Sequence, residues 1–333
     1  MPRRLIDLPG RPILDLTSYG RPGPGRRDHL SQADFETVRR TVHRVPEVMV
    51  KVLTQGGKDL KAVERHLAYL DRKGELPIET DEGEQIKGRG VEKDLLEDWD
   101  LEMEDIRPWT DRRRRDDRSP PKLVHKVLFS MPPGTEPAKV LKAVQNFARE
   151  EFALKHRYAM VLHTDEPHPH VHMLIKAVSE QGVRLNIRKA TLREWRQKFA
   201  EQLRREGVVA NATDRAVRGE SRTRKSDGIY RANLRGDSRH IRDRAHAATT
   251  GLEKGALQEE EGKAKLRATR TEVERGWAAV GEILVAQGHP ELAAEVRRFA
   301  KHLPVPMTAR EQARAAITTQ TPQYPDRDYL MTR

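Results

Sequence analysis

An α+β fold, a central antiparallel sheet flanked by helices, is what the order of segments in this sequence predicts. Three observations carry it. Strand-like and helix-like runs alternate between Val45 and Glu206. Two apolar strand runs, Tyr158–His163 and His170–Val178, are separated only by a short turn and so must pair antiparallel. The helical runs are long enough to cover a sheet but too few between strands for a parallel βαβ array.

The elements follow in order. Residues 1–44 are rich in Pro, Gly and Arg (Gly20-Arg21-Pro22-Gly23-Pro24-Gly25) and are expected to be a flexible basic arm. Val45–Leu53 alternates as a strand, Gln55-Gly56-Gly57 breaks it, and Asp59 caps a helix to about Arg72, which Lys73-Gly74 ends. Glu79–Asp105 holds 12 acidic residues against three basic ones. Residues 79–118 read as an acidic insertion with one helix near Val91–Asp105. A second strand, Leu123–Met131, stops at Pro132-Pro133-Gly134, and Thr135 opens a helix through about Lys155. The hairpin comes next, its turn Thr164-Asp165-Glu166-Pro167. Gln181-Gly182 makes a turn into a short Arg184–Ile187 strand, and Thr191 caps a helix to about Glu206. Residues 251–333, rich in Ala, Glu, Arg and Leu, read as two or three helices. Three regions result: the arm 1–44, a domain 45–250 and a helical C-terminal region 251–333.

Composition narrows the function. The 333 residues carry 63 Lys and Arg against 51 Asp and Glu, a formal charge of +12, and only 36% are apolar. One modest core with polar helices or arms is expected. There is no cysteine, which excludes disulfides, thiolate zinc sites and cysteine nucleophiles. No run approaches the roughly 18 apolar residues of a membrane span, and the first residues lack a secretory h-region, so the expectation is a soluble, cytoplasmic protein. Arg184–Arg244 contains 18 basic and 8 acidic residues. Such a block can follow a phosphate backbone, or it can be a solvated, salt-bridged helical surface.

The most informative string is His163-Thr164-Asp165-Glu166-Pro167-His168-Pro169-His170-Val171-His172. Side chains alternate along a strand, so His170 and His172 share a face, and a tight hairpin brings His163 beside them. Three imidazoles with no fourth protein donor leave open positions on a metal, as a catalytic ion requires. Asp165 is placed to accept the second ring N–H of a ligand histidine. His168 can join the site or stand behind it, and Glu166 is a further outer-shell candidate. By ligand softness the ion would be zinc, manganese, nickel or copper.

A metal and a basic surface suggest phosphodiester chemistry, for which the nucleophile is water, serine or tyrosine. On the helix after Asp59, Val63, Leu67 and Leu70 make one apolar stripe with Leu60, while Tyr69 falls opposite Leu60. Tyr69 is therefore a candidate nucleophile or a packing residue.

Together, Leu67-Ala68-Tyr69-Leu70-Asp71-Arg72-Lys73-Gly74, the Phe129-Ser130-Met131-Pro132 stop with Gly134-Thr135, and the histidine string resemble the conjugative relaxases. The likeness is to the plasmid-mobilisation branch that includes the border endonuclease of transferred DNA. Asp214-Arg215-Ala216-Val217-Arg218-Gly219 resembles a stretch that follows the core in that group, and the likeness runs from about Val45 to Tyr230.

The resemblance implies a relaxase (HUH-endonuclease) fold and an enzyme that nicks and rejoins one DNA strand at a transfer origin through a 5′-phosphotyrosyl intermediate. It implies Tyr69 as nucleophile, His163, His170 and His172 as metal ligands, and Asp165 as orienting a ligand or helping to deprotonate the tyrosine. Ser130 would contact DNA near the nick. Magnesium or manganese is the implied ion. Single-stranded origin DNA would follow Arg188, Lys189, Arg215, Arg218, Arg222, Arg224 and Lys225. An accessory DNA-binding protein and a type IV secretion coupling protein are implied partners, with export of the enzyme attached to the transferred strand. A water-activating metal hydrolase and a non-catalytic DNA-binding protein with a structural metal are the alternatives.

Overall fold

The computed structural model describes residues 16–20, 27–53, 57, 59–101, 121–220, 262–308 and 311–312. Its contacts divide them into two units, one comprising the described residues of 46–212 and the other those of 12–45 and 213–333.

The first unit is built on a six-stranded sheet. Its elements are β1 (Met49–Leu53), α3 (Leu60–Leu70), β2 (Ile78–Thr80), β3 (Gln85–Ile86), α4 (Val91–Asp98), β4 (Val124–Ser130), α5 (Pro137–Phe152), β5 (Tyr158–His163), β6 (His170–Lys176) and α6 (Lys189–Arg205). The strand order is β1-β4-β6-β5-β2-β3, and every pairing is antiparallel. The predicted α+β architecture is thus present.

β4 and β6 lie between other strands, which explains their near-continuous burial. Odd-numbered residues of these strands (Val127, Phe129, Val171, Met173, Ile175) pack under α5 and α6 with Phe147, Trp195 and Phe199. The opposite face carries Val124, Leu174 and, from β5, Ala159 and Val161. These pack with Val63, Leu67 and Leu70 of α3, Leu95 and Leu96 of α4, and Trp99 at its C-cap.

Asp59 caps α3 as its sequence signal predicts, accepting the Ala62 N–H at 2.8 Å. Two other caps differ. Glu136 is the N-cap of α5, because the Thr135 hydroxyl closes its own turn onto the Pro132 carbonyl. Thr191 lies inside the first turn of α6, where its hydroxyl accepts the Arg188 N–H. The acidic stretch is no simple insertion at its start, since β2 joins the main sheet beside β5 through Glu79 and Thr80. The expected Arg184–Ile187 strand is reduced to one bridge, Val178 to Arg184.

The second unit is helical: α1 (Leu16–Gly20), α2 (Gln32–Val42), a 3₁₀ turn (Arg215–Arg218), α7 (Lys263–Ala286) and α8 (Pro290–Lys301). This corrects the flexible-arm expectation for residues 1–44, at least over α1 and α2. Leu16, Tyr19, Leu30 and Val38 are buried with Trp277, Val280 and Phe299 in one core. Gly276 permits the closest approach, because a Cβ there would stand 2.5 Å from the Leu16 carbonyl oxygen. Tyr19 donates to Asp34 at 2.9 Å, and burial pushes its phenol up to about 12. The Trp277 indole donates to the Val217 carbonyl. The 213 border differs from the expected 250, because the segment from Thr213 onward contributes to this helical core.

Candidate active site

The β5–β6 hairpin sets the geometry. His163 and His170 are directly opposed across it, and His172 lies two residues further along β6, so all three rings stand on one face. Ring centroids lie 4.8 to 5.3 Å apart, and one nitrogen from each lies within 4.8 Å of the others. Each is buried.

Backbone carbonyls fix two of the tautomers. His163 Nε2 is 2.7 Å from the Leu70 carbonyl and His170 Nδ1 is 3.1 Å from the His168 carbonyl. A carbonyl can only accept, so those nitrogens carry protons, and His163 Nδ1 and His170 Nε2 hold the lone pairs. Burial lowers the pKa of all three histidines; the charge of His170 lowers His163 further, that of His168 lowers His170, and those of His163 and His170 add to burial at His172, which lies well below the ordinary value. Neutral imidazoles with supported second nitrogens are what a divalent metal requires.

Asp165 is not bonded to the His163 or His170 ring. The ring protons go to backbone carbonyls, which leaves this exposed carboxylate to pair with Arg72. Glu166, half-buried, favours the charged form of His170 through its own charge. His168 stands behind the cluster: its carbonyl holds His170, while its buried ring has no hydrogen-bond partner on either nitrogen. Ser130 lies opposite His170 in the β4–β6 register, fully buried, and its hydroxyl is directed at the Met131 and Pro169 carbonyls. It braces the loop before His170 and presents no hydroxyl to solvent.

Tyr69 arrives on the last turn of α3. Its neighbour Leu70 supplies the carbonyl that holds His163, so the helix end is fastened to the histidine cluster. Tyr69 is half-buried at the edge of the α3 core.

Three residues here were not singled out from sequence. His66, one turn before Tyr69, stacks near it (centroids 6.4 Å, interplanar angle 17°) and meets His172 edge-on at 6.4 Å. Burial, then the charges of Lys126 and His163, drives its pKa down to about 3. Its i,i+3 spacing from Tyr69 was the available signal. Lys126 is buried on the same sheet face with no ion pair among the described residues, and burial lowers its pKa to about 8. The Arg72 guanidinium lies 5.1 Å from the Tyr69 ring centroid. Burial opposes its charge, but its contacts with Tyr69 and Asp165 outweigh that and raise its pKa.

The predicted DNA contacts fall in both units. Arg188 and Lys189 are exposed at the start of α6, and Arg215 is exposed in the second unit. Arg218 is half-buried and paired with Glu220 at 3.2 Å. Arg222, Arg224 and Lys225 lie outside the described residues. Part of the basic block is structural: Lys198 pairs with Glu151 and Glu194, and Arg205 with Glu150 and Glu201. Among the described residues, no helix is long and apolar enough to cross a membrane.

Residues 69–208 match the family described as "Relaxase: MobA/VirD2-like, nuclease domain". Three curated relatives are each a T-DNA border endonuclease VirD2. The protein from Rhizobium radiobacter is 27% identical over 192 residues, covering 52% of this chain and 43% of the relative. That from Agrobacterium fabrum is 27% identical over 213 residues, covering 59% and 46%. That from Rhizobium rhizogenes is 28% identical over 190 residues, covering 52% and 42%. The match spans less than half the length of each relative. The matched span begins at Tyr69 and contains the histidine hairpin, the strands β4 to β6 and helix α6, and over it this chain is similar to the MobA/VirD2-like relaxases.

Proposed function

We propose that this chain nicks and rejoins one strand of DNA by transesterification. Tyr69 is the nucleophile, and His163, His170 and His172 hold a divalent cation. The observation that carries the reading is the hydrogen bond from His163 to the Leu70 carbonyl, because it fastens the peptide next to Tyr69 to the metal-ready cluster. The relatives' activity, endonuclease action at a T-DNA border, supports DNA as the substrate.

In the reaction the Tyr69 Oη–phosphorus bond forms and the phosphorus–O3′ bond breaks. The phenolic proton passes overall to the departing O3′, leaving a 5′-phosphotyrosyl link and a free 3′-hydroxyl. One phosphodiester replaces another, so the same site can reseal the strand without ATP. His163, His170 and His172 would hold a divalent cation, which would polarise the phosphate oxygens and offset charge built up in the transition state. The chain's own residues do the rest. The Leu70 and His168 carbonyls hold His163 and His170 in the tautomers that present lone pairs. Ser130 keeps the Pro169 turn in place. Magnesium or manganese is the ion proposed; imidazole ligands also suit zinc and nickel. Arg188, Lys189 and Arg215 are the proposed phosphate contacts on single-stranded origin DNA. An accessory DNA-binding protein, a secretion coupling protein, and export with the transferred strand belong to the same proposal.

The test uses a labelled single-stranded oligonucleotide selected by covalent capture from a randomised library. The expected result is a metal-dependent adduct on a denaturing gel, with the DNA mapped to Tyr69 by mass spectrometry and lost in Tyr69→Phe. Cleavage that survives Tyr69→Phe would instead establish the water-activating hydrolase. His170→Gln should abolish both the adduct and the rise in melting temperature that manganese gives the EDTA-treated wild type, a gain of about 2.7 kcal/mol at a hundredfold excess over Kd.

A further inference from the structure

The chain leaves α3 in a conformation that its own residues resist. Arg72, Lys73 and Gly74 have φ of 56°, 59° and 88°. Only glycine enters this left-handed region without penalty. At Gly74 packing explains the choice, since a Cβ would stand 2.6 Å from the Gly88 carbonyl oxygen. At Arg72 no core contact does, for its side chain is 31% exposed. What the strained residue supplies is a guanidinium beside the Tyr69 ring, ion-paired to Asp165 across the chain. Backbone strain kept at such a place points to function.

The Arg72 partner is the second clue. Asp165 is 54% exposed and belongs to the loop between the metal-ready histidines. Exposed ion pairs are weak, so this carboxylate is readily exchanged. The planar guanidinium fork recognises carboxylate and phosphate by the same paired hydrogen bonds. A phosphodiester carries the same single negative charge, so the exchange leaves Arg72 neutralised and releases Asp165.

Resting on the reading of Tyr69 as nucleophile, we propose that Arg72 is a phosphate-binding residue of the nicking site, and that Asp165 occupies its fork until a phosphate of the DNA strand takes over.

The test uses the full chain and three substitutions, Arg72→Gly, Arg72→Lys and Asp165→Asn. Glycine suits the left-handed backbone, so R72G should melt no lower than wild type, or about 1–3 °C higher. Binding to oligothymidylate should nevertheless weaken, and the slope of log K against log salt should become less steep by about 0.7, one single-strand phosphate contact. The rate of adduct formation should fall roughly a hundredfold and recover in part when guanidinium ion is added. R72K keeps the charge without the fork, so it should retain the salt slope but not the adduct rate, and it carries the test if R72G folds poorly. D165N should tighten oligothymidylate binding in the Arg72 protein and not in R72G.

An unchanged salt slope in R72G would overturn the proposal, whatever happens to the adduct. Equal tightening by D165N in both backgrounds would overturn the exchange with Asp165. Absence of any Tyr69 adduct in the wild type would sink the nucleophile reading instead, and the salt slopes would still decide on Arg72.

Discussion

Under α5 and α6 the sheet presents Val127, Phe129, Val171, Met173 and Ile175 to Phe147, Trp195 and Phe199. Phe129 and Phe147 approach to 4.9 Å between centroids, and Phe147 meets Trp195 edge-on at 6.0 Å. The α3 face has an apolar patch too, but it also buries His163, His168, His170, His172, Lys126 and Asp71. Neither Asp71 oxygen makes a full hydrogen bond, and burial raises its pKa. Buried polar groups without partners oppose folding. One face therefore gains stability that the other partly gives up, and the residues that give it up surround the candidate site. Sheets with a functional face tolerate this because strands shared by both faces let one side hold the other in register.

The largest test removes the stabilising side. Phe147→Ala deletes a fully buried ring from the α5–α6 face and should cost about 3–5 kcal/mol in urea unfolding. It should do so equally with and without metal. A loss below about 1 kcal/mol would mean that the two faces share the load evenly, and the comparison would fail.

The next test lightens the other side. Lys126 is a buried cation whose pKa is lowered to about 8 by burial, which Asp59 opposes and Lys122 reinforces. Lys126→Met should therefore stabilise the fold by about 1–3 kcal/mol at neutral pH. The sign of the pH dependence follows. Between pH 8 and the ordinary lysine value the unfolded chain holds a proton that the folded one has released, so wild-type stability should gain on the variant as pH rises there. On the acid side, burial holds His66 and His125 down at about 3 and about 4. Both are neutral in folded and unfolded chains above 6.5. Below that the unfolded chain takes up protons first, so stability should fall as pH drops toward those values. Melting temperatures across this range check both limbs, and a flat profile would show that these groups are solvated.

What could be read from the sequence follows the range of the interaction. β5 runs from Tyr158 to His163 as expected, and alternation alone put the three histidines on one face. The Asp59 cap is a three-residue signal and was legible. β2 was hidden, because Ile78–Thr80 is too short to show alternation and is followed by acidic residues. Around α1 and α2 a Pro/Gly/Arg-rich composition masked Leu16, Tyr19 and Val38, which are buried only because α7 and α8, more than 200 residues later, supply the other half of their core. The Arg72–Asp165 pair spans 93 positions, and no local pattern reports such a contact. For Asp165 the motif gave the neighbourhood but not the Arg72 partner, since backbone carbonyls take the ring protons of His163 and His170.

The smallest expected effect separates holding α3 together from aiming it. Asp59→Ala removes the oxygen that accepts the Ala62 N–H and should cost about 1 kcal/mol. Tyr69 sits at the opposite end of the helix, where Val63, Leu67 and Leu70 are in the core and the Leu70 carbonyl holds His163. The rate of adduct formation should therefore stay within about threefold of wild type, since positioning is set at the far end. Asp59 is also the carboxylate whose charge supports the Lys126 ammonium, so its loss should move the alkaline limb of the stability profile to lower pH. A variant that lost nicking in proportion to stability, with that limb unmoved, would mean that α3 is aimed from its N-terminus and that the two faces of the sheet differ less in role than their side chains do.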